Sequence, residues 1–206
     1  MKHTWFSILC TAAIVLAACA ASAQTITNPG FETGDLSGWS SFGLGWRTGT
    51  GDDALEGTYG LVCDVLDSHI GEEWRGIYQS VPVVGGDTYT AGVYIRAVSV
   101  DTSVSWFELQ WLNSGGGVIG QLQSSSVSAD QAFTFMGVLD AIAPLDAVSA
   151  SIRGIVHMET LPSSGTSDFH IFDNFSIVNQ SAIPEPGTLF LIATGAAGLA
   201  LRRRKR

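Results

Sequence analysis

Apolar and polar residues alternate along most of the central part of this chain. Gly, Ser and Thr are frequent between them, and apolar residues seldom recur at the spacing that an amphipathic helix requires. Turn-forming residues such as Asn28-Pro29-Gly30 and Asn113-Ser114-Gly115 separate the alternating stretches. The pattern predicts several short strands and an all-β sandwich.

We expect these strands in seven alternating stretches. They are residues 57–63, 74–83, 88–96, 105–112, 133–139, 148–156 and 169–177. Glycines 115–117 offer the backbone freedom that a hairpin turn needs between the fourth stretch and a further short strand at residues 118–120. Ahead of the strands, Phe31 and Trp39 are predicted to plug the core.

Both ends of the chain differ from this pattern. Residues 5–18 are mostly apolar, and Ala21-Ser22-Ala23 has the small-x-small form that signal peptidase cuts. We therefore predict a signal peptide over residues 1–23. The alternative is lipidation of Cys19, because Leu16-Ala17-Ala18-Cys19 is similar to a bacterial lipobox.

The other end, residues 181–206, is predicted to be an anchor that follows a domain over residues 24–180. Pro184-Glu185-Pro186 precedes an apolar run over residues 189–201, and five cations close the chain. Positive charges favour the cytoplasmic side, so the bulk of the protein is expected outside. The fifteen residues 187–201 would make about 22 Å of helix, less than the roughly 20 apolar residues of a membrane span. This length suits a segment that holds the protein at the membrane only until it is cleaved.

Residues 183–206 resemble the PEP-CTERM sorting signal of exported Gram-negative proteins. They have the Pro184-Glu185-Pro186 triad, a Thr two residues later, a Gly-containing apolar segment and a terminal Arg cluster, in that order. The resemblance implies processing by exosortase, a membrane protease-transpeptidase, and association with exopolysaccharide. It places the protein at the inner membrane as a precursor, then at the cell surface. An ordinary C-terminal anchor is the alternative.

The predicted domain is strongly acidic. Residues 24–183 contain four Arg and eighteen Asp or Glu, a net charge of −14. This argues against nucleic acid as a partner, because nucleic-acid binding needs a basic face. Cys63 is the only cysteine after residue 23, so no intramolecular disulfide can form, and its apolar flanks predict a buried, inert thiol.

A second resemblance covers residues 25–178. An opening Asn28-Pro29-Gly30-Phe31-Glu32 followed by Gly38-Trp39 is similar to the start of carbohydrate-binding modules of the family 4/9/22 type. The order of the later strands agrees, down to a closing strand with a central acid, Asp173. The resemblance implies a jelly-roll β-sandwich of the galactose-binding-like type. This sandwich also serves as an adhesive or plain structural module.

The same resemblance implies a structural Ca²⁺ that ties the first strand to the last. The ligands carried over are Glu32, Asp173 and carbonyls within residues 52–57. Calcium takes about 6–8 oxygen ligands of this kind. The alternative is that both carboxylates are merely solvated or paired with an Arg.

Strand alternation sorts the candidates for sugar binding. Over residues 105–112, one face holds the expected core residues, and the other holds Trp106, Glu108 and Gln110. An aromatic beside hydrogen-bonding side chains is typical of a sugar cleft. Tyr94 and Trp74 are further candidates. The alternative is that these aromatics fill a second core layer.

Catalysis has the least support in the sequence. The neighbouring acids Asp52-Asp53 and Glu72-Glu73 point to opposite faces if they lie on strands, and the histidines show no metal-ligand spacing. We therefore expect a non-catalytic, exported surface protein that associates with exopolysaccharide and binds sugar. A purely structural or adhesive protein and a small hydrolase are the alternatives.

Overall fold

A computed structural model describes residues 25–69 and 73–181, which belong to one compact unit. Its elements are ten strands and one 3-10 turn at Gly51–Asp53. The strands are β1 (Ser40–Phe42), β2 (Trp46–Thr50), β3 (Tyr59–Leu66), β4 (Trp74–Pro82), β5 (Thr88–Val98), β6 (Ser103–Leu112), β7 (Val118–Gln123), β8 (Gln131–Ile142), β9 (Ser149–Met158) and β10 (Ser167–Asn179).

The predicted targeting and sorting segments lie outside the described residues. These are the signal peptide over residues 1–23, with Cys19, and the segment from residue 182 that contains Pro184, Glu185 and Pro186. Within the described ranges, no helix has the length and apolar character to cross a membrane.

The strands form two antiparallel five-stranded sheets. Sheet A has the order β1-β4-β9-β6-β7, and sheet B has the order β2-β3-β10-β5-β8. From β3 onward the chain passes between the sheets in the jelly-roll manner, which confirms the predicted all-β sandwich. The sequence pattern missed β1 and β2 because they are short and mostly exposed.

The core between the sheets follows the predicted alternation. Phe107, Leu109 and Trp111 of β6 are buried, and the Trp111 ring lies 5.6 Å from that of Tyr89 in the opposite sheet. Burial of each such side chain contributes about 1.5–3 kcal/mol. One face of β6 therefore packs in the core between the sheets, and the other lies on the outer side of sheet A.

Two aromatic residues ahead of the first strand also enter the core. Phe31 and Trp39 pack against Phe175 of β10, with ring centroids 6.1 Å and 4.5 Å from it. Both are buried, as predicted. The loop before β1 is thereby fixed to the last strand.

The sandwich also encloses polar side chains at one end. Ser103 Oγ donates to Asp168 Oδ2 over 2.6 Å and lies 2.8 Å from His170 Nε2. Burial lowers the pKa of His170 to about 4, although the charge of Asp168 opposes the shift. Cys63, which pairs with His170 across the sheet, is buried, and burial raises the pKa of its thiol. The prediction of a buried thiol is confirmed.

Candidate functional site

The outer face of sheet A gathers aromatic and amide side chains from several strands. Antiparallel register places Trp74 of β4 opposite His157 of β9. The same register places Glu108 of β6 opposite Arg153 of β9. Alternation along each strand turns these side chains away from the core.

One end of this face is an aromatic platform. Trp74 is 51% exposed and stacks on His157, with ring centroids 4.1 Å apart and planes inclined by 24°. The Trp106 ring meets Trp74 edge-on, with centroids 5.8 Å apart. Trp74 therefore presents a flat apolar surface to solvent while its neighbours fix its orientation.

Aromatic surface continues across the face toward β1. The guanidinium carbon of Arg153 lies 5.1 Å from the centroid of the Tyr78 ring, a cation–π distance. The Tyr78 ring in turn lies 6.4 Å from that of Phe42. Gly76 lies beneath Phe42, and a Cβ at this position would stand 2.2 Å from the Phe42 ring. Only glycine lets this ring lie flat on the sheet.

Beside the aromatics is a hydrogen-bonded polar network centred on Glu108. Its carboxylate accepts from Gln110 Nε2 at 2.9 Å and from Gln121 Nε2 at 2.8 Å, and Arg153 Nη1 lies 3.6 Å away. Glu108 is 7% exposed, and its neighbours cover it. Glu108 thus holds the two amides and the guanidinium in place; Gln121 is exposed and Arg153 half-buried, whereas Gln110 is buried.

Two buried polar atoms in this region have no hydrogen-bond partner in the described chain. They are the indole Nε1 of Trp106, a donor, and the amide Oε1 of Gln110, an acceptor. A buried polar group left unpaired costs about 1–3 kcal/mol. Both atoms are buried, so a ligand on the outer face reaches them only if the side chains that cover them move.

The structure brings four of the five predicted sugar-site residues together. Trp74, Trp106, Glu108 and Gln110 share the outer face of sheet A. Tyr94 lies instead on β5 of sheet B, with its ring 5.5 Å from that of Phe135. The two sheets separate Tyr94 from the other four.

Sequence reasoning missed the contributions of Arg153, His157 and Gln121. The signal for the first two was available, because Arg153 and His157 alternate with the buried residues Ile152 and Val156 along β9. The alternation shows that the side chains share one face. It does not show that β9 lies between β4 and β6.

Both predicted metal ligands contact the loop that precedes β3, Glu32 from the loop before β1 and Asp173 from β10. The Glu32 carboxylate accepts from the amides of Thr58 at 2.9 Å and Tyr59 at 3.0 Å. Asp173 Oδ2 accepts from the amide of Leu55 at 2.8 Å. The first loop, the β2–β3 loop and the last strand therefore meet around two carboxylates, and the contacts from the β2–β3 loop are amide N–H groups.

Side-chain oxygens border the backbone of Gly30 beside these carboxylates. A Cβ on Gly30 would lie 2.9 Å from Asn174 Oδ1 and 3.1 Å from Asp173 Oδ1, so glycine leaves room among the oxygens. Burial raises the pKa of the Asp173 carboxyl, the amides of Leu55 and Glu56 lower it, and the charge of Glu32 raises it further. A bound cation would relieve that repulsion.

Side-chain carboxylates alone do not complete such a site. Across the described ranges, no group of three or more His, Cys, Asp and Glu side chains is placed to hold a metal ion. Amide and backbone carbonyl oxygens would have to supply the remaining ligands, which Ca²⁺ accepts.

The neighbouring acids Asp52 and Asp53 have structural partners. Asp53 lies 3.9 Å from Arg47 and 3.6 Å from Arg96, and Arg96 donates to the carbonyl of Asp52 at 2.6 Å. These contacts hold the 3-10 turn against sheet B. They involve the carboxylate of Asp53 and the backbone carbonyl of Asp52.

Comparison with known proteins identifies the end of the chain. Residues 182–205 match the family model described as the PEP-CTERM protein-sorting motif. This motif indicates an exported protein that exosortase sorts to the cell surface. The search of curated proteins found no match to the sequence.

Solved structures similar to the described domain are mainly carbohydrate-binding modules. One is TmCBM61 in complex with β-1,4-galactotriose, with 18% identity and a TM-score of 0.55 over 77% of this chain and 100% of that one. Another is a family 16 carbohydrate-binding module, with 20% identity and a TM-score of 0.54 over 75% and 99%. A third is a xylan-binding family 22 domain, with 17% identity and a TM-score of 0.50 over 79% and 99%. At these identities the likeness establishes the β-sandwich fold.

Proposed function

We propose that this exported protein binds polysaccharide of the extracellular matrix, without catalysis, through the outer face of sheet A. The observation that carries the proposal is the exposed Trp74 ring, held by His157 and Trp106 beside the polar network of Glu108. The PEP-CTERM motif supports presentation at the cell surface, where exopolysaccharide is accessible.

The chemistry of the face matches that of a sugar chain. One side of a pyranose ring is apolar and stacks on an exposed indole such as Trp74. Hydroxyls of the sugar chain need donors and acceptors, and Gln110 and Gln121 offer them six residues farther along the sheet, roughly 20 Å from Trp74, where they would meet a different sugar residue of the same chain. Because the carboxylate of Glu108 already holds the amides, little side-chain freedom is lost when a ligand binds.

A glycan array and a pull-down with insoluble polysaccharides test the proposal on residues 24–181. We expect wild type to bind at least one polysaccharide and Trp74→Ala to weaken binding by at least about tenfold, equivalent to 1.4 kcal/mol. Trp74 is half exposed, so this substitution should leave the melting temperature nearly unchanged.

The matched control is Tyr94→Ala, which removes an aromatic ring from sheet B. Affinity should stay at the wild-type value in this variant. Binding lost with Tyr94→Ala but kept with Trp74→Ala would move the site to sheet B. A folded domain that binds no polysaccharide would contradict the proposal and favour the structural or adhesive alternative.

We also propose that Glu32 and Asp173 hold a structural Ca²⁺, with Asn174 Oδ1 as a third oxygen. The cation would neutralise two neighbouring carboxylates and link both ends of the domain. This role is separate from sugar binding, because the cluster lies at sheet B and the aromatic face belongs to sheet A.

A further inference from the structure

The described chain ends at a fixed place on the sandwich. Gln180 donates its amide to the carbonyl of Thr88 over 2.8 Å, and Ser181 Oγ accepts from the amide of Thr88 over 2.9 Å. Thr88 is the first residue of β5 and pairs with Ile142 at the end of β8. The sorting segment therefore leaves the domain from this end.

Three loops surround the point of departure. They are residues 83–87, 113–117 and 143–148. Hydrogen bonds from Gly86 N to Ala143 O at 2.9 Å and from Val83 N to Val148 O at 3.0 Å join the first and third loops, and Val148 N donates to the carbonyl of Leu112, just before the second loop, at 3.0 Å. We call this end, with residues 180–181, the exit pole.

Large apolar side chains are exposed at the exit pole. Leu145 is 86% exposed, Ile142 68% and Val84 57%. Val118 and Val148 beside them are about half exposed. Apolar side chains gathered this way, unlike single exposed ones, mark an interaction site. The acids in these loops are Asp87 and Asp146.

The length of chain beyond Ser181 indicates what this surface meets. Seven residues, 182–188, separate Ser181 from the apolar run over residues 189–201. Fully extended, they reach roughly 25 Å. An apolar run followed by five cations has the composition of a segment that enters a bilayer. Whenever that run is in a membrane, the exit pole is at most this distance from the lipid surface.

We propose that the exit pole rests on the membrane before the sorting segment is cut, with Leu145, Ile142 and Val84 in the lipid interface. The lipid surface it fits is a zwitterionic one. Asp87 and Asp146 would be repelled by anionic headgroups, and no described Arg lies in these loops to offset them. The broad sheet A face then stays accessible to polysaccharide.

A fluorescence experiment on residues 24–206 tests this contact. Cys63 is buried, so the substitution Leu145→Cys introduces the one reactive thiol for an environment-sensitive dye. With phosphatidylcholine vesicles, we expect the dye emission to shift to the blue and to be quenched by lipids that carry a spin label in the headgroup. The control is Leu161→Cys at the opposite end, which is 50% exposed and should show neither change.

Flotation of the vesicles reports separately whether the sorting segment binds lipid. Phosphatidylglycerol in the vesicles should reduce the quenching at position 145, and Asp146→Asn should restore part of it. The proposal is overturned if the chain does not float with the vesicles. Flotation with equal quenching at positions 145 and 161, or with none at either, also overturns it.

Discussion

The indole of Trp106 packs edge-on against Trp74, and its N–H has no acceptor in the described chain. Trp39 and Trp46 differ in this respect, because each donates its indole N–H to a backbone carbonyl at 3.0 Å. The indole N–H is therefore hydrogen-bonded within the protein at positions 39 and 46, and it has no acceptor among the described residues at position 106.

At His170 the burial of a single ring makes stability depend on pH. The folded state holds its pKa at about 4, below the ordinary value near 6.5, so protonation favours the unfolded chain. Stability is therefore expected to fall as the pH drops from about 6.5 toward 4. At pH 4.5 the loss from this one group should be about 2 kcal/mol.

Urea unfolding at pH 7.5 and pH 4.5 measures this loss. The control is His170→Gln, which removes the titrating group beside Ser103, Asp168 and Arg75. The variant should lose less stability between the two pH values than wild type does. Equal losses in both proteins would show that His170 does not carry the effect.

Individual residues of the site were predictable only in part. Alternation placed Trp106, Glu108 and Gln110 on one face, and the structure agrees. It did not reveal that the carboxylate of Glu108 would be covered by Gln121 and Arg153. Such coverage depends on side chains from neighbouring strands, whose identity no local pattern gives.

At the scale of elements, the loop between β2 and β3 is held from both sides. Glu32 and Asp173 bind its amides, while Arg47 and Arg96 lie close to Asp53. The two carboxylates come from opposite ends of the domain. The fixed position of the loop therefore depends on two neighbouring negative charges staying together.

If Ca²⁺ occupies this cluster, removing it will destabilise the loop and lower the melting temperature. We expect a chelator to lower the melting temperature of metal-loaded residues 24–181, because repulsion between Glu32 and Asp173 is then no longer offset. The variant Glu32→Ala should melt at the same temperature with and without chelator.

An acid elsewhere on the surface provides the control for this experiment. Asp101→Asn removes an exposed carboxylate from the loop between β5 and β6 and should keep the chelator response of wild type. If the chelator leaves the melting temperature of metal-loaded wild type unchanged, the calcium proposal is contradicted.

Elements with strong alternation were predicted well, and of their pairings the sequence predicted the β6–β7 hairpin. The β6 strand was assigned with correct inward and outward faces because half of its residues are apolar and regularly spaced. Its other neighbour, β9, follows from the jelly-roll path, which depends on long-range contacts. Tyr94 was grouped with Trp106 for this reason, although β5 belongs to the other sheet.

At the scale of the whole molecule, the proposed contacts occupy different sides. Sugar binding is assigned to the outer face of sheet A, calcium to the first loop and sheet B, and lipid contact to the exit pole. The net charge over residues 24–183 is −14. On the sheet A face, however, Glu108 lies within 3.6 Å of Arg153, so a ligand there meets a paired charge.

The central claim is that a sugar chain lies on the outer face of sheet A, and indole N–H resonances test it most directly. The ligand is an oligosaccharide derived from a polysaccharide that the domain binds in the pull-down. In an ¹H–¹⁵N spectrum of residues 24–181, this ligand should shift the indole N–H signals of Trp74 and Trp106. The signals of Trp39 and Trp46 should stay in place, because their N–H groups are bonded within the protein. If the domain is saturated with the oligosaccharide and none of these four indole signals shifts, the account is contradicted.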